Sequence, residues 1–399
     1  MAAISIRNLD VVFGKRVSDS LALLDRGMNR QQIIEQTGVV VGVHNASLEI
    51  GSGEICVLMG LSGSGKSSLL RAINGLNKVS RGELLIDDKG QTVDVASCPP
   101  ATLRHLRTCR VSMVFQRFAL MPWLTVEDNV AFGLEMQNES KSVRRARARE
   151  KLELVGLLDW KDSYPHELSG GMQQRVGLAR AFAMDSDILL MDEPFSALDP
   201  LIRNQLQDEL LELQRRLNKT IVFVSHDLDE ALKIGTHIAI MDSARIIQHG
   251  RPEDIVLNPC NDYVKNFVAH TNPLNVLRGR SLMTGMDALE RLDQRVLLNK
   301  QENTWLQLNE VGQLLGAGRH ERPLRLHEWT DGDGINALAE DTLVVASPDI
   351  SMREAIEIRY KTGHPIVLRE HENLVGILSD RDFYHALLGK HFSSTSIPA

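Results

Sequence analysis

The 399-residue chain has only four cysteines, Cys56, Cys98, Cys109 and Cys260. They are too scattered for a zinc knuckle or a redox pair, and so few without a framework fit a reducing compartment. Basic charge is not in excess. Lys and Arg number 45 against 52 Asp and Glu, a net −7, which argues against the basic stripe of a general nucleic-acid coat. Long apolar runs are missing too. The longest, at 188–191 and 221–224, have strand length, far short of the roughly 20 residues a membrane-spanning helix needs. The opening MAAISIRNLDVVFG carries Asp10 and has no apolar signal core. A membrane role is therefore expected only through a partner.

What is present is an ordinary globular balance, 43% hydrophobic and 24% charged. The length predicts two or three domains with a sizeable core. Residues 4–13 read as a first strand. Residues 17–38 break the pattern with Leu21, Leu23, Leu24, Met28, Ile33 and Ile34 at helical spacing, and Gly38 stands where a C-cap belongs. Strand character resumes at 39–50 and 54–59, and a helix follows over 66–76. The Arg-rich stretch 143–157 interleaves Glu150 and Glu153, so it predicts a solvated helix rather than a nucleic-acid face. Strand 187–192, helix 202–217 and strand 220–225 then alternate. Apolar strands alternating with amphipathic helices predict a mainly parallel sheet wrapped by helices, an α/β fold.

Gly60-Leu61-Ser62-Gly63-Ser64-Gly65-Lys66-Ser67 fits the phosphate-loop pattern G-x-x-x-x-G-K-S between an apolar strand and a helix. Backbone N–H groups of such a loop close round phosphates, and the helix N-terminus adds its dipole. Lys66 is placed to reach β- and γ-phosphates and Ser67 to ligate Mg²⁺. Ile188-Leu189-Leu190-Met191-Asp192-Glu193 puts two carboxylates at a buried strand end. Alternation points them to opposite sides, Asp192 toward Mg²⁺ and Glu193 toward an attacking water. Phosphoryl transfer is mostly positioning and charge stabilisation, so one water-polarising base suffices. Val224-Ser225-His226-Asp227 ends the next strand. A hydrolytic triad there is a poor reading, because triad members meet from separate segments. His226 fits better as a γ-phosphate contact. Gln116, after the strand at 111–115, is assigned to Mg²⁺ and the attacking water. Leu168-Ser169-Gly170-Gly171-Met172-Gln173-Gln174-Arg175 opens another helix with a second anion-binding end. One nucleotide does not need two such ends from one subunit, so the pair predicts two subunits facing each other and sharing each nucleotide.

Taken together these residues resemble the nucleotide-binding subunit of an ABC transporter. The phosphate loop, Gln116, the 168–175 signature, Asp192-Glu193, the loop Ser196-Ala197-Leu198-Asp199 and His226 occur in that family's order. The resemblance covers about residues 1–270. It implies that Ser169, Gly170, Gly171 and Gln173 bind the nucleotide held by the opposite subunit, and that Asp199 links the two sites. It also implies contacts from Ser68 beside the loop and adenine stacking by Phe13. The expected fold is a P-loop NTPase of ABC type: a mainly parallel sheet core, an antiparallel N-terminal β-subdomain and a helical signature subdomain.

The insert, the run Phe118-Ala119-Leu120-Met121-Pro122 and Phe195-Ser196-Ala197-Leu198-Asp199-Pro200-Leu201-Ile202-Arg203 resemble the ATPase of glycine betaine/proline and choline importers. Leu120, Met121 and Trp123 would then dock a permease's coupling helix. The C-terminal part resembles a CBS module, on Gly376-Ile377-Leu378-Ser379-Asp380-Arg381-Asp382, with Ser379 and Asp382 as its ligand contacts. Charged faces such as Arg369, Glu370, His371 and Glu372 are the alternative sensing element there.

The expected division is an ABC ATPase domain at 1–272, with its helical insert at 15–38, and a linker or degenerate first CBS-like repeat at 273–340. A CBS-like repeat at 341–390 and a disordered tail at 391–399 follow. The break is placed near His270, and 278–340 is expected to be irregular. Beyond it the pattern predicts strand 342–346, helix 351–362, strands 365–368 and 374–378, and helix 381–388. The resemblance implies an ATPase that uses ATP and Mg²⁺, forms a homodimer and powers import of glycine betaine, choline or proline betaine. It would sit peripherally on the cytoplasmic face of the inner membrane. Its partners would be integral permease subunits and, indirectly, an extracytoplasmic binding protein, with no nucleic acid. Import of another solute and a non-transport ABC ATPase stay open as alternatives.

Overall fold

The computed structural model describes residues 2–116, 119–196, 198–269, 271–292, 294–299, 301–309, 313–330 and 333–388. Phe118, Ala197, His270 and the 391–399 tail lie outside the described residues. The chain divides into two compact units, 1–251 and 252–399. The division falls ahead of the expected boundary at 272. The reason is packing: Leu257 and Leu274 lie against the core that contains Leu277, Leu282 and Ile350.

In the first unit, β1 (Ala2–Phe13) is followed by α1 (Val17–Asp25) and α2 (Arg30–Thr37), then β2 (Val40–Gly51). The expected insert is thus two helices. Asn29 and Gln32 form a reciprocal capping box on α2, and Gly38 closes it at φ 66°. β3 (Ile55–Met59) leads through the phosphate loop into α3 (Lys66–Ile73). β4 (Arg81–Asp88) and β5 (Gln91–Asp94) complete an antiparallel sheet of order β2-β1-β4-β5.

The central sheet takes β6 (Val111–Val114), β7 (Ile188–Asp192), β8 (Thr220–Val224), β9 (His237–Asp242) and β10 (Arg245–Gly250) in the order β10-β9-β3-β8-β7-β6. All its pairings are parallel except β10 on β9. β3, β7 and β8 are buried along their whole length, which is why they read as continuous apolar runs. α3 sends Leu69, Leu70, Ala72 and Ile73 into one core with Ile4, Ile6, Leu48 and Ile86 of the first sheet and Leu58, Leu190 and Val224 of the second. The loop that precedes α3 is thereby anchored between two sheets. α4 (Val126–Met136), α5 (Lys141–Leu154) and α6 (Gly170–Ala183) pack on one another. α7 (Pro200–Leu217) and α8 (Leu228–Ile234) follow β7 and β8.

The second unit overturns one expectation. Residues 278–340 are not irregular but contain β11 (Thr284–Gly285), β12 (Arg291–Leu292), β13 (Arg295–Asn299), β14 (Thr304–Leu308), β15 (Leu314–Arg319) and β16 (Arg322–Glu328). β12 to β16 form an antiparallel meander. It buries Val296, Leu298, Leu306 and Leu308. Arg, Gln and Gly occupy the alternate positions of a sheet with one wet face. β16 then pairs in parallel with β17 (Thr342–Ala346), which pairs in parallel with β18 (Ile366–Glu370), and β18 pairs antiparallel with β19 (Asn373–Leu378). α9 (Met352–Thr362) and α10 (Asp380–Leu388) complete the expected β-α-β-β-α run.

Candidate functional site

β3 delivers the phosphate loop to the C-terminal edge of the central sheet, where ligands gather in open α/β folds. Gly65 caps α3 at φ 107°, and a Cβ there would meet the Gly42 carbonyl at 2.3 Å. Only glycine fits that backbone. Lys66 is buried, and its Nζ donates to the carbonyls of Gly60 at 2.7 Å and Leu61 at 3.0 Å. An ammonium carries three donors, so one is left for a ligand. Burial pulls the Lys66 pKa below its ordinary value, opposed by the carboxylates of Glu193 and Asp192.

β7 ends on Asp192, which is fully buried. Ser67 Oγ donates to Asp192 Oδ1 at 2.7 Å and Arg71 donates to Oδ2 at 2.9 Å. Ser67 and Arg71, four residues apart on α3, share one face. Glu193 lies past the strand end in the left-handed region at φ 48°. This backbone turn, rather than strand alternation as expected, separates its carboxylate from that of Asp192. A left-handed non-glycine residue is strained and must be held. Glu193 N–H donates to Val224 O, and its carbonyl accepts from Gln174 at 3.3 Å and from Ser196 Oγ at 3.1 Å. Its Oε2 accepts from Gln116 Nε2 at 3.2 Å and lies 3.4 Å from His226 Nδ1.

A cleft of about 440 Å³ joins these groups. Ser62, Gly63, Gly65, Lys66, Ser67, Ser68, Gln116, Glu193 and His226 line it, with Phe13 at its edge. Phe13 is 39% exposed. Gly42 makes room for it: a Cβ at 42 would fall 2.4 Å from the Phe13 ring and 3.0 Å from Ser68 Oγ. Gly60 and Ser64 shape the loop from behind, and Leu61 stands exposed on its rim. The residues from the two strand ends, the loop and β1 are therefore brought together.

Ser169, Gly170, Gly171, Gln173 and Asp199 are not among the cleft residues. Ser169 is the N-cap of α6 and its Oγ accepts from Met172 N–H at 3.3 Å. Gln173 donates to the carbonyls of Pro165 and Leu168. Asp199 caps α7 by accepting from Ile202 N–H at 3.1 Å. Arg203 donates to Leu198 O at 3.2 Å and lies 3.5 Å from Asp227, joining this loop to the segment after His226. Sequence reasoning gave no role to three residues that support the site: Gly42, Arg71 and Gln174. Only the i,i+4 spacing of Arg71 from Ser67 offered a signal.

Elsewhere, Trp123 is 72% exposed, on a loop whose carbonyls at Met121, Leu124 and Thr125 accept from buried Asn129. Ser379 and Asp382, expected as ligand contacts, are spent internally. Buried Asp382 accepts from Ser379 N–H and Oγ, both at 2.7 Å, and from Thr284 Oγ1 at 3.2 Å. No helix among the described residues is long and apolar enough to cross a membrane.

The comparisons agree with this geometry. Residues 43–196 match the family model described as ABC transporter, and 336–389 match that of the CBS domain. The chain is 41% identical over 404 aligned residues, 96% of its length and 97% of the other's, to the glycine betaine/proline betaine transport system ATP-binding protein ProV of Salmonella typhimurium (strain LT2). It is 52% identical to the protein of the same name from Escherichia coli (strain K12), over 66% of this chain and 65% of that one. Among solved structures it resembles a dimeric ATP-binding cassette in a post-hydrolysis state bound to ADP and Pi. There the TM-score is 0.54 and identity 29%, covering 62% of this chain and 98% of that one. The chain belongs to the family of ABC transporter ATP-binding proteins.

Proposed function

We propose that the protein is the ATP-hydrolysing subunit of an importer for a quaternary ammonium osmolyte: glycine betaine, choline or proline betaine. The observation that carries the reading is the convergence of Lys66, the Ser67–Asp192 pair and the Gln116–Glu193–His226 group on one cleft. The name of the relative matched over nearly its whole length, a glycine betaine/proline betaine transport system ATP-binding protein, supports the solute class.

The loop N–H groups, Lys66 and the α3 N-terminus bind the triphosphate. Ser67, Asp192 and Gln116 would hold Mg²⁺. Their all-oxygen donor set with a single carboxylate suits a cation that is completed by water and phosphate oxygens. Among the described residues no cluster of three or more His, Cys, Asp or Glu offers a cage instead. When bound, Mg²⁺ supplies charge neutralisation at the phosphates. Glu193 takes a proton from the attacking water as the new P–O bond forms at the γ-phosphorus and the bond to the β-phosphate oxygen breaks. Gln116 orients Glu193 and the water, and His226 meets the γ-phosphate.

The signature residues Ser169, Gly170, Gly171 and Gln173 serve the nucleotide of a second copy, and Asp199 communicates between the two sites. Their position outside the chain's own cleft supports this, as does the dimeric state of the solved cassette. C₂ symmetry makes both sites equivalent. The exposure of Trp123 on its braced loop supports a docking surface there for a permease subunit, with the protein peripheral on the cytoplasmic face.

Labelled glycine betaine uptake is the test, in vesicles holding this subunit with its permease and binding protein and ATP inside. Uptake that disappears with Lys66→Ala is the expected result. Uptake indifferent to that substitution would remove the motor role, and vesicles that carry a different solute instead would reassign the cargo.

A further inference from the structure

The helical insert has no role in the site as built so far, yet one of its side chains enters the nucleotide cleft. Arg30 is the first residue of α2, and its Nη1 donates to the Gly63 carbonyl at the tip of the phosphate loop at 2.6 Å. The same side chain lines the cleft together with Phe13, Ser62, Lys66, Ser67 and Glu193. Its Nε is buried and has no hydrogen-bond partner. Gly63 is its one partner among the described residues, and no carboxylate pairs with it there. Arg30 therefore offers a guanidinium with most of its five donors unspent beside a loop built for phosphates. A half-buried, unpaired cation is costly until an anion meets it.

The insert is fixed rather than loose. Leu24 and Ile33 are buried with Val41 and Ala244. Arg81 holds Asp25, at the end of α1, with two bonds of 2.8 and 2.9 Å. The Asn29–Gln32 capping box sets the first turn of α2, where Arg30 sits. A side chain on such a support is positioned before the ligand arrives, and a planar fork suits phosphate oxygens better than a point charge does.

We propose that Arg30 is a nucleotide-binding residue, supplied by the insert as a second cation beside Lys66 and directed at the phosphates of the bound nucleotide. The proposal rests on the nucleotide-site reading above. The competing role is bracing: an arginine that only props the loop through Gly63.

Two substitutions in the full-length protein separate these roles. Arg30→Gln keeps an N–H donor for Gly63 but loses the charge, and Arg30→Lys keeps the charge. ATP binding with Mg²⁺ is measured by titration calorimetry for each at 50 and 300 mM salt, with unfolding midpoints as a check on folding. Arg30→Gln is expected to weaken ATP about tenfold at low salt. Its affinity should also depend less on salt, because one screened cation is gone. Arg30→Lys is expected to stay within about threefold of wild type. An Arg30→Gln affinity within twofold of wild type would overturn the proposal. So would equal weakening in both variants with an unchanged salt dependence, which is the bracing result. Absence of ATP binding in the wild type would instead strike the nucleotide-site reading itself, and this proposal with it.

Discussion

Gln116 donates its amide N–H to Glu193 Oε2 at 3.2 Å, across 77 residues of sequence. The bond ties the edge strand β6 to the end of β7 and aims the Glu193 carboxylate into the cleft. Glu193→Gln keeps the side chain's size and removes its capacity to take a proton. ATP affinity should stay within about twofold while steady-state hydrolysis falls about 10²–10⁴-fold. The closed dimer should accumulate with ATP. Wild-type turnover in this variant would remove Glu193 from the base role.

Ser169 caps α6 and contributes nothing to the chain's own cleft. Ser169→Arg is therefore expected to leave ATP binding to the monomer intact. In a Glu193→Gln background it should abolish ATP-dependent dimerisation. Sedimentation with and without ATP reads the outcome, and a dimer that persists would refute the shared site.

Asp10 is a pH-dependent strut. It is buried and accepts from His44 Nδ1 at 2.8 Å, Asn45 N–H at 2.9 Å and Arg81 Nε at 2.7 Å. Burial alone would raise its pKa, but the bonds from His44, Asn45 and Arg81 bring it below the ordinary carboxylate value. A depressed folded value means the unfolded chain binds more protons in the interval. The stabilisation is therefore complete above the unfolded pKa of about 4 and is lost as pH falls through the folded value. Asp10→Asn should cost about 1–3 kcal/mol at neutral pH. The gap from wild type should narrow below about pH 4, as chemical denaturation across a pH series would record.

Asp382 anchors the second unit through the bonds it accepts from Ser379 and Thr284. Asp382→Asn replaces an acceptor of three bonds with a group that donates toward two of the same donors. The expected loss is about 1–3 kcal/mol from the unfolding of that unit, with ATP affinity unchanged. Differential scanning calorimetry with and without ATP separates the two effects. A stable variant would return Asp382 to consideration as a ligand contact.

The parts of the site legible in sequence are those whose chemistry is contiguous. The phosphate loop, the Asp192-Glu193 strand end and His226 each follow a fully buried strand, so apolar runs announce where the chemistry begins. Gln174 and Arg30 meet their partners through long-range contacts that no local pattern records, and Arg71 is signalled only by its spacing from Ser67. Glu193 was assigned its direction by strand alternation, whereas a left-handed backbone sets it. The meander at 278–340 did carry a period of two, in Val296 and Leu298 and again in Leu306 and Leu308. Five-residue strands with Arg and Gln on the wet face kept that signal short. Ser379 and Asp382 matched a ligand-contact pattern. The same hydroxyl and carboxylate at that spacing also make a helix-start bracket, and only coordinates tell the two apart.

The parallel pairing of β16 with β17 has a consequence for the stretch that matches the CBS family model. That match begins at residue 336, after β16 has ended at Glu328. A fragment cut to the family boundary would keep β17 but lose its neighbour at Arg325, Leu326, His327 and Glu328. One whole flank of an apolar strand, Thr342–Ala346, would then present unclaimed N–H and C=O groups to water. Such a flank recruits another chain. The fragment should behave as a self-templating species that grows by strand addition, and its solubility should return when the cut is moved upstream of the meander.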